Sequence, residues 1–100
     1  MLFVMIEDYT MDTRDRLFER FEHYTRPEGV KILGHYQLLG QQRIVIVAEA
    51  ESEEALARVT APWTDLVSIQ IFPAMAFTDY YRIAYLSRRP PASPEAEGRR

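Results

Sequence analysis

The sequence predicts an α+β fold of the ferredoxin-like type, with the order strand, helix, strand, strand, helix, strand. Apolar and β-branched runs at residues 1–8, 30–39, 43–50 and 66–74 indicate four strands. Apolar residues at helical spacing fill two of the gaps between these runs, and proline or glycine stands at the breaks. Right-handed crossovers then place both helices on one face of a four-stranded antiparallel sheet. The first and third strands form its central pair.

The composition is that of one globular domain. The chain has 100 residues, 47% of them hydrophobic, and a net charge of −3. The lack of cysteine excludes a disulfide scaffold, a thiolate metal site and a cysteine nucleophile. The net charge argues against nucleic acid as a partner, because nucleic-acid binding needs a basic face. Since no apolar run approaches the ~20 residues of a membrane helix, we expect a cytoplasmic protein that does not enter the membrane.

The first strand and the first helix follow from apolar spacing. Six consecutive apolar residues open the segment Met1–Asp8, which is typical of a strand covered on both faces. A helix over about residues 12–25 is predicted to begin at Asp12, whose carboxylate can accept the first free amides, and to end before Pro27. Its apolar stripe consists of Leu17, Phe18, Phe21 and Tyr24.

A hairpin and a second helix complete the predicted sheet. Strands at residues 30–39 and 43–50 are joined by the turn at residues 40–42. Ser52 is predicted to cap the second helix, and Pro62 closes it before the fourth strand. Strict alternation places side chains of the second strand on two faces. One face holds Val30, Ile32, Gly34 and Tyr36, and the other holds Lys31, Leu33, His35 and Gln37.

The C-terminal part of the chain is expected to lie outside the sheet domain of residues 1–76. Residues 77–87 form an extension, either a short helix capped by Thr78 or an added strand. Residues 88–100 are rich in proline, small residues and mixed charge, so we expect a disordered tail.

Both faces of the central strands are apolar, which predicts a homodimer. We expect one face to carry Leu2, Val4 and Ile6 with Ile44, Ile46 and Ala48, and the other to carry Phe3 and Met5 with Val45 and Val47. Two helices can cover only one of these faces, and an exposed apolar patch of this size usually marks an interface. The sequence therefore predicts dimers that stack sheet on sheet. The alternative is that the C-terminal segment folds back over the second face.

Three stretches carry a family resemblance, namely residues 28–34, residues 47–49 and the segment Ala61-Pro62-Trp63-Thr64-Asp65-Leu66. They resemble the dimeric α/β-barrel superfamily, which includes antibiotic-biosynthesis monooxygenase-like and muconolactone isomerase-like proteins. Over about residues 1–76 the chain is most similar to a group of short bacterial proteins classed as a domain of unknown function. In that group a basic and an aromatic residue follow the glycine of the second strand, and His35 and Tyr36 occupy those places here.

The resemblance implies a dimer whose two sheets form a barrel, with a ligand cavity between sheet and helices in each subunit. It does not imply one chemistry, because members include cofactor-independent oxygenases, isomerases, haem-degrading enzymes and proteins without known activity. A shared fold is by itself weak support for a shared function.

His35 is the candidate catalytic residue, because an imidazole can accept a proton near neutral pH. The candidate ligand-binding residues are aromatic: Tyr9, Tyr24, Tyr36 and Trp63. The alternatives are that His35 is a hydrogen-bonded structural residue and that Trp63 closes the end of the sheet. Glu7 and Glu49 are expected to be partly buried, with Glu7 paired to Arg43, and Asp65 to bracket a turn. No spacing of ligands predicts a metal or a cofactor.

Two functions remain open from the sequence. The first is a small enzyme, similar to cofactor-independent monooxygenases, isomerases or cyclases, that acts on a hydrophobic or aromatic molecule. The second is a non-catalytic dimer that binds a small molecule or a protein. An enclosed cavity with His35 directed into it would favour the enzyme.

Overall fold

Residues 1–86 are described in the structure of this protein, a computed structural model. They form one antiparallel sheet with the strand order β2-β3-β1-β4 and three helices, which confirms the predicted ferredoxin-like α+β fold. The elements are β1 (Leu2–Asp8), α1 (Met11–His23), β2 (Val30–Gln37), β3 (Arg43–Ala50), α2 (Glu53–Thr60), β4 (Ser68–Ala74) and α3 (Phe77–Ala84). The predicted tail at residues 88–100 lies outside the described residues.

The helices begin where local chemistry satisfies their first amides. Ser52 caps α2 as predicted, because its hydroxyl accepts a hydrogen bond from the Ala55 amide at 3.1 Å. The predicted cap of α1 is wrong: Thr10 precedes the helix, and its amide donates to the Thr13 hydroxyl at 3.1 Å. Likewise α3 follows Ala76 and not Thr78. Within residues 1–86, no helix is both long and apolar enough to cross a membrane.

The register of the central strands determines which residues the helices cover. Val4 lies opposite Val47, and Met5 lies opposite Ile46. The predicted grouping of the two faces is therefore wrong, because it combined side chains that the register separates. The helix-side face carries Phe3, Met5, Ile44, Ile46 and Ala48, all of them buried. Both central strands are apolar on both faces, so alternation alone could not pair them correctly.

A β-bulge in β2 changes the direction of His35. Ile32 lies opposite Ala48, but Gly34 already lies opposite Val47, so Leu33 is an extra residue in the ladder. His35 consequently faces Ile46 on the helix side of the sheet. The prediction from strict alternation, which placed His35 and Ile32 on different faces of the sheet, is wrong beyond this point.

The second face of the sheet remains partly exposed, and we call it the open sheet face. Its apolar side chains are Leu2, Val4, Ile6, Val45, Val47 and Phe72. A helix packed on this face would bury side chains against it, but the helix α3 buries none. Residues 77–86 therefore do not provide the cover that the alternative prediction required.

Candidate functional site

A cleft of about 830 Å³ lies between α1 and the helix side of the sheet. Small-molecule sites commonly have volumes of ~300–1,000 Å³. The apolar lining residues are Met5, Leu17, Phe18, Phe21, Tyr24, Ile32, Ile44, Ile46, Val59 and Trp63. The polar lining residues are Glu7, Thr25, Arg26, His35, Gln37 and Thr60. The cleft thus combines an apolar body with a few polar groups.

The cleft exists because the apolar stripe of α1 is only partly buried against the sheet. Leu17 is 4% exposed, whereas Phe18 and Phe21 are 50% and 57% exposed. These two rings extend from α1 beside the cleft. Apolar rings left half in water provide contact area for an apolar ligand, which would gain burial by covering them.

His35 lines the cleft as a neutral base. Its ring lies edge-on to Phe21, with ring centroids 5.5 Å apart. His35 is an exposed residue on the wall of this open cleft, and partial loss of hydrating water lowers the pKa of its imidazole below its usual 6.5. At neutral pH the imidazole therefore has a nitrogen lone pair available to accept a proton.

Glu7 is the second ionisable group of the cleft. Burial raises the pKa of Glu7 above its usual 4.5, since the carboxylate is poorly hydrated there. The predicted Glu7–Arg43 pair is wrong: Asp8 lies opposite Arg43, and the Arg43 Nε is 2.7 Å from the Asp8 Oδ1. Glu7 is half-buried as expected, whereas Glu49 is exposed, contrary to expectation.

The register sets Glu7 and His35 on opposite sides of β3. Glu7 and Gln37 both lie beside Ile44, while His35 lies beside Ile46, one pleat further along. Strands are ~4.8 Å apart, so the backbones of Glu7 and His35 are separated by roughly 10 Å across the sheet. A planar molecule resting on Ile44 and Ile46 would lie between the two ionisable groups.

Tyr24 and Trp63 form one end of the cleft. Their rings meet edge-on with centroids 4.9 Å apart, and Trp63 is 8% exposed. The Arg20 guanidinium lies 5.8 Å from the centre of the Trp63 ring and pairs with both carboxylate oxygens of Asp65, at 2.7 and 2.9 Å. This hydrogen bonding lowers the pKa of Asp65. Asp65 thus ties α1 to the segment that precedes β4.

Tyr9 and Tyr36 lie outside the cleft. Tyr9 is buried, and its hydroxyl donates to the Gln37 Oε1 at 3.0 Å. This hydrogen bond helps to hold Gln37, which lines the cleft. Tyr36 lies on the side of the open sheet face, where its ring covers Gly34 so closely that a Cβ there would be 2.5 Å from it. Of the five candidate residues, the structure brings His35, Tyr24 and Trp63 together.

Sequence reasoning missed Glu7 and Arg26 as lining residues. Glu7 had a usable signal, because alternation along β1 puts it on the same face as Phe3 and Met5. Arg26 had none, since it lies between α1 and β2, where no periodicity constrains the direction of a side chain.

Two tyrosine hydroxyls in this region are expected to have opposite effects on stability. The Tyr24 hydroxyl is buried and has no hydrogen-bond partner within residues 1–86. Tyr24→Phe should raise the free energy of unfolding by about 1–3 kcal/mol, because it removes an unsatisfied polar group. Tyr9→Phe should lower it by about 1 kcal/mol, because the bond to Gln37 is lost. Urea denaturation of both variants measures the difference, and equal losses would show that Tyr24 has a partner after all.

These residues define a class of protein: a small α+β domain of the ferredoxin-like type, with an apolar cleft between its first helix and its sheet. A family model described as a domain of unknown function (DUF3303) matches residues 1–85, and the chain belongs to that family. The predicted membership of a family of unknown function is thereby confirmed, and the match extends through α3. No curated protein matches the chain.

Proposed function

We propose that this protein is a cofactor-independent enzyme that binds a hydrophobic, aromatic small molecule in the cleft and moves a proton on it. The observation that carries the proposal is the placement of two ionisable side chains, His35 and Glu7, on the same wall of the cleft. Burial lowers the pKa of His35, so its imidazole is free to accept a proton at neutral pH, and burial raises the pKa of Glu7, so its carboxyl group takes up a proton more readily than an exposed glutamate does. Isomerisation by proton transfer is the chemistry that such a pair supports without a co-reactant.

The proposed reaction begins at a carbon–hydrogen bond that lies between a carbonyl group and a carbon–carbon double bond. The His35 imidazole accepts that proton, the electron pair of the broken bond forms a new carbon–carbon double bond, and Glu7, in its protonated form, donates a proton to the carbonyl oxygen. Return of the proton from His35 to the far carbon of the original carbon–carbon double bond, with loss of the proton on oxygen to Glu7, gives the conjugated isomer of the substrate and restores both side chains. Apolar walls such as Met5 and Ile46 limit hydration of the intermediate enol.

A second candidate is a protein that binds such a molecule without turnover. It is favoured by the surroundings of His35, whose imidazole has no hydrogen-bond partner within the described residues to orient it. Many catalytic histidines are held by a carboxylate or a backbone carbonyl on their second nitrogen. Binding without proton transfer would therefore distinguish this candidate from the enzyme.

We further propose that two copies stack through the open sheet face, as in the dimeric α/β barrels that the chain resembles, and that the protein acts in the cytoplasm. The apolar centre of this face is bordered by Lys31 beside Glu49 at one end and by Asp8 paired with Arg43 at the other. An apolar centre with a polar rim is the usual composition of a protein interface. Charges of both signs also allow the face to pair with itself.

Binding can be followed through Trp63, the single tryptophan of the chain, which lines the cleft. Bicyclic aromatic ketones such as 2-tetralone, and the corresponding phenols, are expected to change its fluorescence. In D2O the protein should accelerate deuterium incorporation next to the ketone carbonyl, as measured by NMR. His35→Gln should slow this exchange by about 10²–10⁴-fold while binding is retained, because the base is lost and the cleft walls remain.

The matched control is His23→Gln, since His23 is exposed on α1 and does not line the cleft. It should leave both binding and exchange unchanged. Binding without protein-dependent exchange would overturn the enzyme and leave the binding protein. If no ketone or phenol of the panel alters Trp63 fluorescence, both candidates for the cleft are wrong.

A further inference from the structure

We infer that the ligand of the cleft carries a carboxylate, and that Arg26 binds it; this inference rests on the proposed function of the cleft. Arg26 lies between α1 and β2 and lines the cleft. Its Nε donates to the Val30 carbonyl oxygen at 3.1 Å. That bond holds the guanidinium in place and leaves its two terminal nitrogens without a hydrogen-bond partner in the described part of the chain.

Arg26 also has no ion pair among residues 1–86. Five other arginines do have one, within 4.0 Å of an acidic side chain: Arg14, Arg20, Arg43, Arg58 and Arg82. Glu28 follows two residues later, but it makes no ion pair with Arg26. Apart from His35, which favours its neutral form, Arg26 is the only basic side chain among the described residues that lines the cleft.

The acid of the cleft lies too far away to neutralise Arg26. Val30, whose carbonyl oxygen accepts the hydrogen bond from Arg26, lies opposite Ala50. Glu7 lies opposite Ile44, six residues along β3. At ~3.4 Å a residue these two rows are roughly 20 Å apart. The cleft therefore has the positive charge of Arg26 at one end and its acidic side chain, Glu7, at the other.

A carboxylate is the anion that fits this end. Two free, coplanar guanidinium nitrogens match the two oxygens of a carboxylate, and the adjoining apolar walls suit the hydrocarbon part of the same molecule. His35 lies opposite Ile46, four residues along β3 from the Ala50 row, or roughly 13 Å. A ligand that reaches both Arg26 and His35 is therefore elongated, with its acid group and its reacting carbon at opposite ends.

The test uses two probes of the same shape, biphenyl-4-carboxylate and the neutral biphenyl-4-carboxamide. Binding is measured by titration of Trp63 fluorescence with the full chain. The carboxylate should bind wild type about tenfold to a hundredfold more tightly than the amide, because a charge-assisted pair is lost in the amide. Arg26→Gln should abolish this preference by weakening the carboxylate alone. Arg26→Lys, which retains the charge and not the paired nitrogens, should give an intermediate preference.

Arg16→Gln is the matched control, because Arg16 is exposed as Arg26 is but does not line the cleft. It should leave the affinities of both probes unchanged. Equal affinities of the two probes for wild type, unaltered by Arg26→Gln, would overturn the assignment of Arg26 while the cleft remains a binding site. Failure of both probes to bind would overturn the proposed function as well.

Discussion

Replacing Val47 with glutamate is expected to convert the proposed dimer to a monomer. Val47 lies in the centre of the open sheet face, between Val4 on β1 and Gly34 on β2. In a stacked dimer each copy would bury the new carboxylate against apolar side chains, which costs several kcal/mol per charge unless it is paired. Light scattering at micromolar concentration should show the mass of the wild-type particle halved in the variant.

The control for this substitution places the same charge at the rim of the same face. Ser68 is exposed on the edge strand β4, so Ser68→Glu should leave the dimer intact. Circular dichroism of the Val47→Glu monomer should remain that of a folded domain, because Val47 does not belong to the buried helix-side core. A wild-type chain that is already monomeric would refute the proposed interface.

The order of elements could be predicted from the sequence because local residues determine it. Ser52 before two glutamates marks the start of α2, and the β-branched run from Arg43 to Ala50 marks β3. The assignment of faces could not be predicted in the same way. It depends on which residue of β1 lies opposite which residue of β3, and both strands are apolar on both sides, so each pairing buries a similar set of side chains.

The direction of His35 shows the same limit within a single strand. One extra residue, Leu33, reverses the alternation for the rest of β2, and no charge or apolar pattern around it marks the change. The available signal is Gly34, since a glycine inside a strand often accompanies a bulge or a close approach. Here it accompanies both, because the ring of Tyr36 lies over it.

The candidate site was predictable where helical spacing applied. Tyr24 continues the apolar stripe of α1 and does line the cleft, as does Trp63 just after α2. Tyr36 was assigned to a ligand pocket by its residue type, and the register places it on the other side of the sheet. Residue type can thus suggest which side chains suit a ligand, but the sheet register decides which of them share a cavity.

Trp63→Ala is expected to lower the free energy of unfolding by about 3–5 kcal/mol, the usual cost of truncating a buried tryptophan. Trp63 is buried between Tyr24 and the Arg20 side chain, which itself bonds to Asp65 and to the Pro62 carbonyl. Its removal leaves a cavity at the point where α1 meets the segment before β4. For a domain of this size each kcal/mol shifts the melting temperature by about 4–8 °C, so calorimetry should show a fall of well over ten degrees.

The comparison variant Trp63→Phe separates packing from ligand recognition. A phenyl ring retains the contact with Tyr24, so this variant should lose much less stability than Trp63→Ala. Because the Trp63 variants contain no tryptophan, their ligand binding is measured by titration calorimetry. A ligand that depends on the indole would bind Trp63→Phe weakly although the domain remains stable, whereas a ligand that needs only the apolar wall would bind it almost as well as wild type. If Trp63→Ala keeps its melting temperature and loses only ligand binding, Trp63 serves the ligand and not the fold, and the packing described above contributes little to stability.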